Sequence, residues 1–189
     1  MDELMLFTDG SVDTHSNIGY GSYMSVSERG LSLDLLKTHV KTRQFDHTSS
    51  TKLELQTLLW ALSDIQTSGR GVTVYTDSQN IMGLPGRRDR LEHNKYRSKK
   101  NKRLNNDELY REFFKITDQL DCAFVKVRGH QASNQKNDID KLFTLVDRAA
   151  RNALRRYNRF PLCDNSDTPK LKRSHAKAQK AAIAAGFVG

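Results

Sequence analysis

Four acids stand where a solvated surface carboxylate is not expected: Asp9, Glu54, Asp77 and Asp147. Asp9 closes the apolar run Leu4 to Thr8, and Asp77 closes the β-branched run Val72-Thr73-Val74-Tyr75-Thr76. Both runs read as strands, and ligand sites in sheets with parallel neighbours gather at the carboxyl ends of strands. Two carboxylates brought together there repel each other and resist ionisation, a problem that divalent cations resolve. Either Asp taken alone equally suits a turn after a strand. Glu54 lies in Thr51-Lys52-Leu53-Glu54, a capping-box pattern, yet Leu58, Ala61 and Ile65 follow it at helical spacing, so it also falls on an apolar stripe. A carboxylate on the packed side needs a partner, and capping and metal binding are compatible roles. Asp147 sits beside the stripe of Phe143, Ala150 and Leu154; Asp140, two turns earlier on the same face, is its rival. Arg148 and Arg151 could pair with either acid in an ordinary surface network.

The elements that would position these acids can be read in order. Strands are expected at Leu4 to Thr8, Ile18 to Ser27 and Leu31 to Phe45, the last two broken by Glu28-Arg29-Gly30. A helix carries Leu55, Leu58, Leu59, Leu62 and Ile65, followed by the strand ending at Asp77. Short helix is expected from Ser78 to Leu84, then a basic segment, then helix from about Asn106 to Leu120. Cys122 to Val127 reads as a strand, Arg128 to Asp138 as polar loop, and Ile139 to Tyr157 as a long helix. Three strands followed by alternating helix and strand predict a mixed five-stranded α/β sheet flanked by helices.

Net charge is +9 over 189 residues, and its placement is uneven. Gly86 to Arg103 carries nine Lys/Arg against two acids, and Lys170 to Gly189 carries five and none, so the remainder is slightly acidic. A body with two basic appendages suits a polyanionic partner, although basic runs are often merely solvated. The expected organisation is a catalytic domain over residues 1–160, with a basic protrusion near 86–103, and a basic tail over 161–189 that is unstructured or a marginal helix. Met1-Asp2-Glu3 does not open a secretory signal, and no apolar stretch is long enough for a bilayer. Cys122 and Cys163 have neither metal spacing nor a disulfide framework, which predicts a reduced, cytoplasmic setting.

Taken together, Thr8-Asp9-Gly10-Ser11, Gly19-Tyr20-Gly21, Leu53-Glu54-Leu55, Thr76-Asp77-Ser78-Gln79, Arg128-Gly129-His130 and Asp147-Arg148-Ala149-Ala150-Arg151 resemble the ordered motif set of type 1 ribonuclease H. Each tetrapeptide alone is weak; the set in one order over roughly Leu4 to Arg156 is specific. The resemblance implies an endonuclease that cuts the RNA strand of RNA–DNA hybrids by a two-metal mechanism, leaving 3′-hydroxyl and 5′-phosphate ends. It implies that Asp9, Glu54, Asp77 and Asp147 hold two Mg²⁺ ions, with Mn²⁺ able to substitute, and that His130 assists proton transfer or product release.

By the same resemblance, Gly10, Ser11, Ser50, Thr51 and Gln79 approach the hybrid's minor groove, and Arg87, Arg88, Lys99 and Lys100 lie in a protrusion that grips the DNA strand. The chain departs from the family at Ser49-Ser50-Thr51, which keeps hydroxyls but lacks the usual amide. The protrusion has Tyr96 as its only aromatic, so electrostatic grip with little stacking is expected. An insertion from Gln131 to Lys141 keeps Asp140 in contention as the fourth ligand. A monomer without membrane association is expected. The alternatives are another nuclease on the same fold, such as a junction resolvase, and a non-catalytic nucleic-acid-binding protein.

Overall fold

A computed structural model describes residues 3–27, 32–67, 69, 71–128 and 137–159. Strand alternation organises it. In β1 (Leu4–Asp13), Leu4 and Leu6 face one side of the sheet, while Met5 and Phe7 face the other. β1 pairs antiparallel with β2 (Ile18–Val26), which pairs antiparallel with β3 (Lys41–Phe45). On its other edge β1 runs parallel to β4 (Val72–Thr76), and β4 runs parallel to β5 (Cys122–Lys126). The sheet order is β3-β2-β1-β4-β5. This is the expected mixed five-stranded sheet flanked by helices.

One face is covered by α2 (Ser50–Asp64) and α5 (Asp107–Gln119), the other by α6 (Asp138–Arg159). α2 begins where the Ser49 hydroxyl accepts from Lys52 N, and it buries Leu53, Leu55, Leu58, Leu59 and Leu62. Each fully buried leucine contributes about 2 kcal/mol. The helix can sit this low because the strands beneath it carry glycine. A side chain at Gly21 would overlap Thr57, and one at Gly19 would overlap Leu53 and Thr48. The Gly-Tyr-Gly motif therefore seats a helix on the sheet.

The expected strand from Leu31 to Phe45 needs correction. Leu33–Thr38 is a helical turn and a half, α1, capped by the Ser32 hydroxyl on Leu35 N and burying Leu36 against the α6 side. Leucine and lysine are good helix formers, and the first β-branched residue of the stretch, Thr38, comes only at the last position of the helix. Only Lys41–Phe45 remains strand. After β4 come α3 (Gln79–Met82), a single 3₁₀ turn at Pro85–Arg87 and α4 (Arg88–His93). The basic segment closes with a tight turn in which Ser98 N donates to Lys102 O (2.8 Å), with Arg97 bridged to Arg103. Its one aromatic, Tyr96, is buried in the core. The tail over 161–189 lies outside the described residues. No helix among the described residues is long and apolar enough to cross a membrane.

Candidate active site

The parallel pairing of β1 with β4 sets the site. Phe7 is level with Tyr75, and the same register carried two residues further brings Asp9 level with Asp77. Asp9 follows Met5 and Phe7 in the alternation, so it belongs to the α6 face, where Asp147 comes from the middle of that helix. Glu54 arrives from the opposite side, one turn into α2. Thr8, Asp9, Glu54, Thr76, Asp77 and Ile81 line one small cleft.

The electrostatics show how close the acids stand. Burial pushes the Asp9 carboxyl up to about 8, and the charges of Asp77 and Asp147 add to it, against a lowering hydrogen bond from Gly10 N to Asp9 Oδ1 (2.8 Å). Asp147 also lies within hydrogen-bonding reach of Asp9. Glu54 is raised as well, chiefly by burial and further by Asp77, while hydroxyls of Ser78 and Ser50 hold it down. The Ser78 hydroxyl donates to Glu54 Oε2 at 2.6 Å and also caps α3 by accepting from Ile81 N at 3.2 Å. Arg151 pairs with Asp147 at 2.7 Å, one helical turn on. Among the described residues, no three His, Cys, Asp or Glu side chains form a ready-made coordination cage. The acids are gathered, and Asp9, Glu54 and Asp147 are each oriented by a protein partner.

Asp140, the rival to Asp147, is engaged elsewhere. Asn137 N donates to its Oδ2 (3.2 Å), and Asp140 N donates to Asn137 Oδ1 (2.8 Å). That reciprocal pair is a helix cap built from Asn and Asp, and it starts α6. Asp140 lines a different cavity, with Tyr75, Lys126 and Arg128.

The other predicted residues divide. Ser50 opens α2 and bonds Glu54, Thr51 follows it exposed, and Gln79 stands exposed at the start of α3. Ser11 sits on β1 opposite Tyr20, and the missing side chain of Gly10 leaves room for Leu53 of α2. Lys99 and Lys100 are exposed on the basic turn. Arg87 instead turns inward, donating to Gly83 O (2.9 Å), Asn80 O (2.6 Å) and Asn80 Oδ1 (2.9 Å). Arg88 forks onto Asp118 (2.6 and 2.8 Å) and onto Glu92 (2.9 Å). His130 lies outside the described residues. Sequence reasoning missed Ser78 as the group that orients Glu54, for which the Ser three residues before Ile81 was the available signal. Of the pairings it left open for Arg148 and Arg151, the one between Arg151 and Asp147 forms.

The sequence profile of the RNase H family matches residues 1–155. The chain belongs to the RNase H family. A relative named Ribonuclease H, from Neorickettsia sennetsu (strain ATCC VR-367 / Miyayama), is 26% identical over 144 residues, covering 75% of this chain and 91% of that protein. This RNase H family member is a ribonuclease H enzyme. Asp9 within β1 and Asp77 just past β4, with Glu54 from α2 and Asp147 from α6, are the acids that this fold gathers.

Proposed function

We propose that this ribonuclease H hydrolyses the RNA strand of RNA–DNA hybrids, with two divalent cations held by Asp9, Glu54, Asp77 and Asp147, and leaves 3′-hydroxyl and 5′-phosphate ends. The observation that carries the proposal is the meeting of Asp9, Glu54 and Asp77 on one small cleft, with Asp147 within reach of Asp9. The Asp9 carboxyl is raised to about 8, by burial first and by the charges of Asp77 and Asp147 second. Carboxylates that resist ionising for want of a counter-charge fit hard cations, Mg²⁺ first with Mn²⁺ as substitute, and their all-oxygen donor set does not favour Zn²⁺. Bound there, such cations would supply charge neutralisation at the phosphodiester and a more acidic attacking water.

The chain's own residues orient these ligands. Ser78 and Ser50 aim Glu54, and Arg151 aims Asp147. His130, by its place in the family's motif, accepts or returns a proton at the reacting oxygens. Gly10, Ser11, Ser50, Thr51 and Gln79, by their places in the family's motifs, meet the hybrid's minor groove, where its 2′-hydroxyls would need donors and acceptors. Lys99 and Lys100 take phosphates of the DNA strand, whereas Arg87 and Arg88 contribute by holding the segment's shape. A monomer in a reduced, cytoplasmic setting belongs to the same reading; Cys122, for its part, is a free thiol.

The test presents a labelled RNA strand in a hybrid, in duplex RNA and alone, with Mg²⁺, with chelator, and with Asp9→Asn. Cleavage confined to the hybrid, abolished by chelator and by Asp9→Asn, is the expected result. Equal cleavage of all three substrates, or cleavage that survives chelation, overturns the reading.

A further inference from the structure

The second half of α6 carries Arg148, Arg151, Arg155, Arg156 and Arg159 and no acid after Asp147. At about 100° per residue, Arg151, Arg155, Arg148 and Arg159 fall roughly 40°, 80°, 100° and 120° around the helix from Asp147, all on one flank. Phe143, Val146, Ala150 and Leu154 fall on the other side of Asp147 and are buried. Asp147 therefore marks the border between the packed face and a basic face.

Arg151 is tied to Asp147. Arg148, Arg155 and Arg159 are exposed, and among the described residues none of them forms an ion pair. The helix does not carry them away from the site. Tyr157 packs against Tyr20 (ring centroids 6.1 Å apart), and Tyr20 is opposite Ser11, two residues past Asp9. Leaving three long cations unpaired beside a cluster of acids makes sense if a polyanion crosses both.

We propose that Arg148, Arg155 and Arg159 form a phosphate track along α6 that holds the nucleic-acid backbone of the substrate, from the sheet face opposite the basic segment of residues 86–103. The inference rests on the proposed hybrid substrate and deepens it. From Arg148 to Arg159 the helix rises about 16 Å, which matches roughly five phosphates at 3.4 Å of rise each. Guanidinium groups suit this role because their planar forks bind phosphate oxygens in pairs. The track and the basic segment then approach the cleft from two sides, α6 bringing Asp147 and the α2 side bringing Glu54.

The test measures binding of a short labelled RNA–DNA hybrid to the full-length Asp9→Asn protein in chelator across a salt titration. Its comparison forms add either the triple change Arg148→Gln, Arg155→Gln and Arg159→Gln, or Arg156→Gln alone. Arg156 has the same charge on the same helix but lies about 180° from Asp147. Expected is a loss of about tenfold or more at low salt for the triple form, with its log–log salt slope shallower by about 2 to 3. Arg156→Gln should leave the slope nearly unchanged. Should the triple form unfold, Arg155→Gln alone should lower the slope by about 1. Equal slopes for the parent and the folded variants, or equal effects from the track and from Arg156, overturn the track. Cleavage of the hybrid by the unsubstituted protein is scored separately, and only its absence counts against the proposed substrate.

Discussion

Two regions of this molecule are rich in arginine, and they use it in opposite ways. In the segment running from Pro85 into α5, the paired arginines are committed to the fold, while Lys99 and Lys100 stay exposed. Arg88 forks onto Asp118 and lies over the Phe114 ring (5.1 Å), Arg103 reaches Asp107 (2.7 Å) and Glu108 (2.9 Å), and Arg111 lies 3.9 Å over Tyr96. In the second half of α6, Arg148, Arg155 and Arg159 face outward beside an acid that faces the site. Charge counted in a sequence is therefore not charge available to a ligand. Charges paired inside the fold should matter to stability when removed. Charges aimed at the site should matter to function, and removing some of them should relieve the fold.

The sharpest break between these classes lies within α6 itself, at its two acids. Asp147→Asn should reduce hybrid cleavage by at least about 10²-fold, the scale for losing one preorganised electrostatic group, while leaving the fold intact. Asp140→Ala should leave the cleavage rate nearly unaltered and cost about 1 kcal/mol through loss of the reciprocal cap with Asn137. Rates and melting curves of the two proteins decide it. A rate collapse in Asp140→Ala with normal stability would reverse the assignment of the fourth ligand.

Asp9 extends the contrast to an acid whose ionisation opposes folding. Its folded value is raised from 3.8 to about 8, so the folded state holds a proton that the unfolded chain has released. Without cations, stability is therefore lost as pH rises through this window, the penalty growing until Asp9 ionises in the fold near 8. Asp9→Asn should raise the melting temperature of chelated protein by several degrees near the top of that window, and by little near its bottom. Saturating Mg²⁺ should shrink the difference by stabilising the unsubstituted protein. A melting difference that stays constant with pH would show that Asp9 is not held against its charge.

Arg88→Ala addresses the other class. It removes the fork on Asp118, the bond to Glu92 and the contact over Phe114, all between groups that are partly exposed. Solvent screening limits the effect to a few degrees in melting temperature. Binding to the hybrid at moderate salt should scarcely change in the protein that remains folded. A large loss of affinity with no loss of stability would return Arg88 to the substrate surface.

How much of this was legible beforehand depends on which distances carry the signal. The strand before Asp77 and the helix around Glu54 were readable because β-branched runs and a leucine stripe are local patterns. β1, by contrast, runs on past Asp9 to Asp13, held there by its pairing with β2, beyond the end that the apolar run suggested. The family resemblance added Asp147 to that set, and the structure separates it from Asp140 through Asn137, a partner only three residues away whose capping role the polar loop reading hid. Leu33–Thr38 was misread because a short leucine-rich run fits either period, and a serine cap decided it. The fate of Arg87 and Arg88 was out of reach: Asp118 is 30 residues from Arg88, and only the packing of α4 against α5 brings them together. The arginine flank of α6 was legible as a helical pattern, yet it acquires meaning only once Asp147 is placed against Asp9.

The smallest expected effect separates the exposed lysines of the basic turn from the arginines around them. Lys99 and Lys100 sit on a turn held by backbone bonds, Ser98 N to Lys102 O and Asn101 N to Ser98 O, both 2.8 Å. The turn's geometry therefore does not depend on their side chains, and Lys99→Gln with Lys100→Gln should leave the melting temperature unchanged. As flexible point charges they gain affinity through counterion release, with no forked geometry to lose. The double variant should bind the hybrid a few-fold more weakly at low salt, with the log–log salt slope reduced by at most about 2. The same titration on Arg88→Ala should show the reverse pattern, lower stability with an unchanged slope. If both variants lose slope equally, the basic segment presents all of its cations to the substrate, and its contrast with α6 disappears.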